Sequence, residues 1–349
     1  MILGGLPFLQ LDRTGIALLG AIALIGAEAL SPQEAAQSIH LPTLILLFSF
    51  MVISAQMRLG GFYRWVTLRL AALQLTPPLL LAVLILVVAA LSAVFSNDIV
   101  CLAVAPVLID ACLARRLDPV PYLLALACAA NVGSAATLIG NPQNMLIGES
   151  LKLSFGGYFA QALVPVLLGL LATWGLISWQ TRGRWAAPEG DAPGECASER
   201  RDADQVPLDQ WQTAKGLSVT AILLAVFLFL PAWPRDVAAL AGAGLLLTSR
   251  RLHSNKMLGL VDWELLILFI GLFVVNHAMQ KTGIVAGVVA DLAAAGVNLG
   301  QPGPLFAATL VLSNIVSNVP AVMLLLPVAA HALAGPTLAL VSTFAGNLL

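Results

Sequence analysis

Charge is what this sequence has least of. Of its 349 residues only 10% are Asp, Glu, Lys or Arg, against 59% hydrophobic, where an ordinary soluble domain carries about 25% charged residues. A water-soluble chain of this composition would have to hide more apolar surface than one core holds, because cores stop growing near about 250–300 residues. A soluble enzyme, a nucleic-acid binder and a disordered chain are excluded. A polytopic, all-α membrane protein remains, in keeping with a mean hydropathy of +0.93. Cysteine is scarce as well. Cys101, Cys112, Cys128 and Cys196 form no CxxC and no Cys/His pair at metal-ligand spacing, and neither HExxH nor GxSxG occurs. Those absences speak against a metal centre and against an intramembrane enzyme, so no catalytic residue, metal or resident cofactor is assigned. There is no lipidation motif at either end.

A spanning helix needs about 20 predominantly apolar residues. Runs that meet this loosely are 14–30, 41–57, 157–180, 216–232, 236–249 and 262–280. The first, within residues 1–40, reads as a signal-anchor helix. Other apolar runs are interrupted by polar or helix-breaking residues: 77–95 then 99–114, 121–139 then 143–149, and 304–316 then 318–333. Residues 62–74 and 284–296 fit helices lying near the membrane interface.

Basic residues orient these runs. Fourteen of the 17, among them Arg58, Arg64, Arg69, Arg115, Arg116 and Lys215, fall on one side, and Lys152, Arg235 and Lys281 on the other. The split requires 77–114 to enter from the cytoplasm and return to it as a re-entrant hairpin. The stretch 181–215 holds twelve charged residues with Pro188, Pro193 and Gly194, and reads as a flexible cytoplasmic linker. It separates a first half, 41–180, from connecting helices at 216–261 and a second half at 262–349.

The halves repeat each other. Phe50, Arg58 and Gly60 match Phe273, Lys281 and Gly283 at an offset of 223. Leu91, Ser92, Ser96, Asn97 and Pro106 match Leu312, Ser313, Ser317, Asn318 and Pro327 at an offset of 221. Leu124 and Asn131 match Leu340 and Asn347 at 216. On the charge count the copies insert in opposite senses, which is the build of secondary transporters. At the last offset Leu349 corresponds to Gly133, so the second copy is expected to be truncated before its own unwound loop.

Polar groups at lipid depth are functional candidates by default. Ser96-Asn97-Asp98 is expected at the tip of the first hairpin and Ser317-Asn318-Val319-Pro320 at the tip of the second. The free N–H groups of a tip favour an anion, while Ser and Asn oxygens suit Na⁺ or a neutral oxyacid. The alternative is that Ser-Asn only caps the second arm. Asp98 faces Val319 in the repeat and is the only carboxylate expected at mid-depth, which makes it the candidate for proton coupling. The run Asn131 to Asn144 contains Gly133, Ser134, Thr137, Gly140, Asn141, Pro142, Gln143 and Asn144. Proline and the residue before it break a helix there, so the chain should unwind and turn Thr137, Gly140, Asn141, Gln143 and Asn144 toward a cavity. Asn276-His277, inside a full span, reads better as a packing hydrogen bond than as a ligand pair.

These motifs resemble the ion transporter superfamily that includes the ArsB-type arsenite permeases, the NhaD-type antiporters and the divalent-anion/Na⁺ symporters. The similarity covers 41–349. The Asn-Asp tip at Asn97-Asp98 and the Asn-x-Pro tip at Asn318-Val319-Pro320 look like the arsenite-permease branch, and Gly140-Asn141-Pro142-Gln143-Asn144 looks like uncharacterised bacterial anion permeases, the citrate-transporter-like members. The symporter branch has Ser-Asn-Thr at both tips, and Asp98 and Val319 depart from it. The resemblance implies a central site built from Ser96, Asn97, Asp98, Ser317, Asn318 and the Gly140–Asn144 stretch. It implies a secondary transporter in a bacterial inner membrane that moves a small inorganic anion or oxyacid with H⁺ or Na⁺. A Na⁺/H⁺ antiporter and a dicarboxylate or sulfate symporter are the alternatives within the superfamily, and a channel or an intramembrane enzyme those outside it. A homodimer, and for an arsenite pump a soluble ATPase, are the protein partners it would admit.

Overall fold

A computed structural model describes residues 11–186, 208–249 and 251–347. Most of the charged linker, 187–207 with Cys196, Arg200 and Arg201, lies outside the described residues, as do Arg250 and Leu349. The described chain is almost wholly helical, and six helices are long and apolar enough to cross a membrane. This is a polytopic membrane protein.

In chain order the helices are α1 (Arg13–Gly26), α2 (Pro32–Ser38), α3 (Leu41–Leu59), α4 (Phe62–Ala71), α5 (Pro77–Val94), α6 (Asn97–Ala114), α7 (Pro119–Ser134), α8 (Pro142–Ser150) and α9 (Phe155–Gln180). After the linker come α10 (Gln210–Phe229), α11 (Arg235–Leu247), α12 (Ser254–Leu258), α13 (Trp263–Lys281), α14 (Ile284–Ala294), α15 (Pro302–Val316), α16 (Asn318–Leu325) and α17 (Ala334–Ala345). Proline punctuates them: Pro32, Pro77, Pro119 and Pro302 stand in first turns, where the missing N–H costs nothing and φ is already helical.

Three boundaries differ from the sequence reading. The run 14–30 is no single span: α1 stops at Gly26, Glu28 turns at φ 56°, and α2 restarts behind a capping box of Ser31 and Glu34. Helix α11 has 13 residues and falls short of a span. Residues 210–215 belong to α10, which Asp209 starts by accepting from the N–H groups of Trp211 and Gln212.

The chain divides into two compact units. The first comprises 1–48, 142–154 and 261–349, and the second 49–141 and 155–260. Helix α8, part of the first half in sequence, therefore packs in the unit that holds the second hairpin.

In the first unit α1 lies on α13. Small residues permit the approach: a Cβ on Gly271 would stand 2.8 Å from the Ala17 carbonyl carbon. The far end of α13 is tied to α2, where Lys281 donates to Glu34 Oε1 at 2.7 Å. Glu34 also accepts from the Ser31 N–H at 2.8 Å, and the two bonds hold its carboxyl down at about 2 from an ordinary 4.5. A group lowered in the folded state contributes stability above its unfolded pKa and loses it as the pH falls through the folded one. The melting temperatures of wild type and Glu34→Gln, followed by scanning fluorimetry, should therefore differ near neutral pH and converge as the pH falls from about 4.5 to about 2.

In the second unit α5 and α6 form the first hairpin. Arg115, one residue past α6, donates from Nη1 to the Leu73 carbonyl at 3.0 Å and from Nη2 to the Leu75 carbonyl at 3.4 Å. Those carbonyls directly precede α5, so both ends of the hairpin lie together and the chain returns to the side it left. Each arm has 18 residues, about 27 Å of helix, which is longer than a half-depth hairpin requires. The linker starts at this same base: the Asp118 N–H donates to the Trp185 carbonyl at 3.0 Å.

Candidate functional site

The first tip exists because the chain stops being helical at Phe95, whose φ of −108° and ψ of 158° are extended. Phe95 is buried edge-on against Tyr63, ring centroids 5.9 Å apart, which fixes the tip to α4. Ser96 occupies the cap position of α6, yet its hydroxyl accepts no N–H of that helix. The capping explanation for this serine thus has no hydrogen bond behind it. The Asn97 N–H donates to the Gly140 carbonyl at 3.4 Å, and Asn97 Oδ1 is buried and finds no donor among the described residues. Asp98 is exposed in the first turn of α6.

Opposite this tip the chain unwinds between α7 and α8. The irregular residues are 135–141, all buried, so the break is shorter than the run read from sequence. Asn131, Gly133 and Ser134 are still helical, and Gln143 and Asn144 already belong to α8. A Cβ on Gly133 would stand 2.6 Å from the Ala89 carbonyl oxygen, which sets α7 tight on α5. The Thr137 hydroxyl donates to the Ala93 carbonyl and accepts from the Ile139 N–H at 3.2 Å. Asn141 Nδ2 donates to Ser134 Oγ at 2.9 Å, and the Tyr158 hydroxyl donates to the Ala135 carbonyl at 2.7 Å. Thr137 and Asn141 therefore shape the loop and fasten it to the hairpin.

In the first unit, the second tip is strained. Ser317 has φ 80° and ψ 159°, a region populated essentially by glycine that costs on the order of 1–3 kcal/mol for other residues. Its hydroxyl, like that of Ser96, makes no capping bond to the helix it precedes. Asn318 opens α16, which packs on α17 and α8. Helix α8 contributes Gln143, whose Nε2 donates to the Thr343 hydroxyl at 3.3 Å, and the fully buried Asn144.

The second unit thus brings Ser96, Asn97 and Asp98 together with Thr137 and Gly140, and the first carries Ser317 and Asn318 with α8 and its Gln143 and Asn144. The run Gly140–Asn144 is divided between units, after Asn141. Two features escaped the sequence reading. Glu149 on α8 is 5% exposed, so Asp98 is neither the only candidate carboxylate nor a buried one. Ser92 and Ser313, one turn before the tips, are 0% and 5% exposed, and neither hydroxyl has a partner among the described residues. Their matched spacing was the signal that could have found them. The left-handed glycines that open α4 and α14 are Gly61 and Gly283, φ 73° and 72°, an offset of 222 where the sequence alignment had 223. Among the described residues no group of three or more His, Cys, Asp or Glu side chains could hold a metal ion.

Interrupted apolar helices with polar tips are the layout of a transporter, and the comparison with known families agrees. The family model described as "Citrate transporter" (CitMHS) matches residues 2–345. The chain belongs to this family. It is 29% identical over 370 residues to an uncharacterized transporter of Mycobacterium tuberculosis, covering 97% of this chain and 83% of the relative. It is 29% identical over 330 residues to the inner membrane protein YbiR of Escherichia coli, covering 92% and 81%. A shorter match, 38% identical over 164 residues, is to the silicon efflux transporter LSI3 of Oryza sativa subsp. japonica, covering 47% of this chain and 34% of the relative. As a member of the citrate transporter family the protein is a membrane transporter.

Proposed function

We propose that this transporter is a secondary active carrier of a small inorganic oxyacid or anion, coupled to H⁺ or Na⁺ and working by alternating access in a bacterial inner membrane. One observation carries the reading. Two hairpin tips at matched repeat positions present Ser-Asn without using the serine as a cap, and the first leaves Asn97 Oδ1 buried without a donor among the described residues. Buried polar groups in native proteins are almost always paired, so an unpaired acceptor at a tip is ready for a ligand. The residues gathered at each tip include no Lys or Arg, which suits a neutral oxyacid or a singly charged anion better than a polyanion. The silicon efflux relative supports the same class, because silicon in neutral water is the uncharged orthosilicic acid. The family description favours a second reading, a carboxylate carried with a cation.

Reconstituted vesicles distinguish the two. Uptake of arsenite, orthosilicic acid, sulfate, citrate, succinate and Na⁺ is measured with a pH or Na⁺ gradient imposed in turn. Saturable, gradient-driven flux of arsenite or orthosilicic acid is expected, and flux of citrate or succinate alone would replace the first reading by the second. With Asp98 as the proton carrier, Asp98→Asn should leave exchange down a gradient intact and remove its pH dependence. PH-dependent flux unchanged in that variant moves the coupling role elsewhere, with Glu149 next in line.

A further inference from the structure

The first unit carries another polar feature, an open cleft beside the second hairpin. A cleft of about 340 Å³ opens between the end of α2, the end of α8, the C-terminal half of α13 and the arm formed by α16 and the turn after it. Its polar wall is Ser38, His40, Ser150, Asn276, His277 and Gln280. Water occupies about 30 Å³ per molecule in the liquid, so the cleft has room for a solute of a few heavy atoms together with water.

The wall selects by charge and by hydrogen bonding. Among the described residues no Asp, Glu, Lys or Arg lines the cleft. Lys281, next in sequence to Gln280, is already neutralised by Glu34 at 2.7 Å. The titratable side chains of this wall are the imidazoles of His40 and His277, so a bare oxyanion would find no Lys or Arg to pair with among the described residues. Asn276 Oδ1 is buried and finds no donor among the described residues, and such an atom is costly to leave unpaired until a donor arrives. A hydroxylated acid brings O–H donors; sulfate and other fully deprotonated oxyanions bring none. The imidazole of His40 is held in place, Nδ1 lying 2.8 Å from the Thr43 hydroxyl and the ring tilted on Phe273 with centroids 6.3 Å apart. The carboxamide of Gln280 and the hydroxyls of Ser38 and Ser150 can both donate and accept. Met323, on the same wall, stands five residues beyond Asn318, about 7.5 Å of helix from the tip.

We propose that this cleft is a docking site for an uncharged, hydroxylated oxyacid beside the second hairpin, a proposal that rests on the oxyacid-transporter reading and narrows its substrate to the protonated form.

The test is binding, read apart from transport. Full-length protein in detergent is titrated by calorimetry with arsenous acid and with orthosilicic acid at neutral pH, and sodium sulfate and sodium chloride serve as competitors. Both acids should bind and compete with each other, and neither salt should displace them. Asn276→Leu should weaken binding at least tenfold, which is about 1.4 kcal/mol. Gln280→Leu, at an exposed position whose substitution leaves the fold alone, should weaken it several-fold. Unchanged affinity in both variants, or displacement by sulfate or by Na⁺, overturns the proposal. Asn318→Ala, at the tip, should keep the cleft's affinity and lose transport. Transport intact with no Asn276-dependent binding sinks the docking site alone, and Asn276-dependent binding in a wild type that moves no solute sinks the transport reading alone.

Discussion

Gly140→Ala is expected to lower the melting temperature by roughly 6–12 °C and to abolish transport. A Cβ at this position would meet Ser134 backbone, 2.7 Å from its Cα and 2.8 Å from its carbonyl carbon. Backbone at a helix end cannot rotate aside as a side chain can, so the loop itself must open. Opening it separates Asn141 Nδ2 from Ser134 Oγ, now 2.9 Å apart, and draws the Gly140 carbonyl from the Asn97 N–H that fixes the first tip. Overpacking a close contact costs about 1–3 kcal/mol, and breaking these bonds in a buried loop adds about 1 kcal/mol each. About 3 kcal/mol is thus a conservative total, and at roughly 2–4 °C per kcal/mol it gives the expected shift. Gly175→Ala is the control: nothing lies within 4 Å of the added carbon, and the helix interior should gain about 0.5–1 kcal/mol. Scanning fluorimetry in detergent reads both. A Gly140→Ala protein that melts with the wild type would mean the loop is looser than its contacts imply.

Much of the fold was legible because membrane helices announce themselves twice, by apolar length and by what interrupts it. Pro142 opens a helix at a break placed from sequence, Pro77, Pro119 and Pro302 open helices within two residues of where apolar runs were expected to begin, and Ser96 and Ser317 end the arms they were expected to end. The errors lie where composition and geometry part company. Ala27, Ala29 and Leu30 extend the apolar run of α1, but the chain turns at Glu28, and the sign of that turn was the polar pair Ser31 and Glu34 rather than any loss of hydrophobicity. Asp209 caps α10, so a segment counted into the linker for its charge is helical.

At the site, local motifs were visible and distant partnerships were not. Thr137 and Asn141 stood out as polar residues in an apolar run, but their bonds to Ala93 and Ser134 depend on the loop folding back. Nothing in the sequence marks Glu149, a lone carboxylate seven residues past Pro142, as buried. Asn276-His277 read as a packing pair because His40, which lines the same cleft, is 237 residues away and no periodicity links them.

Ser317 offers the sharpest separation of structure from function. Its φ of 80° and ψ of 159° suit glycine, and relieving them should gain about 1–3 kcal/mol, a melting temperature several degrees higher. Ser317→Gly removes both the strain and the hydroxyl, whereas Ser317→Ala removes the hydroxyl and keeps the strain. A tip that exists to hold solute should lose transport by about 100-fold in both variants, on the scale of about 3 kcal/mol expected when a preorganised polar contact is lost, while only the glycine variant gains stability. Asn97→Ala should behave like the glycine variant: removing a buried acceptor without a donor relieves about 1–3 kcal/mol of desolvation and still costs transport. Stability that rises while transport falls is the mark of a residue kept for function. Normal flux in Ser317→Ala would show that the tip backbone, and not its hydroxyl, meets the solute. Normal flux in Asn97→Ala as well would remove the hairpin tips from the transport path.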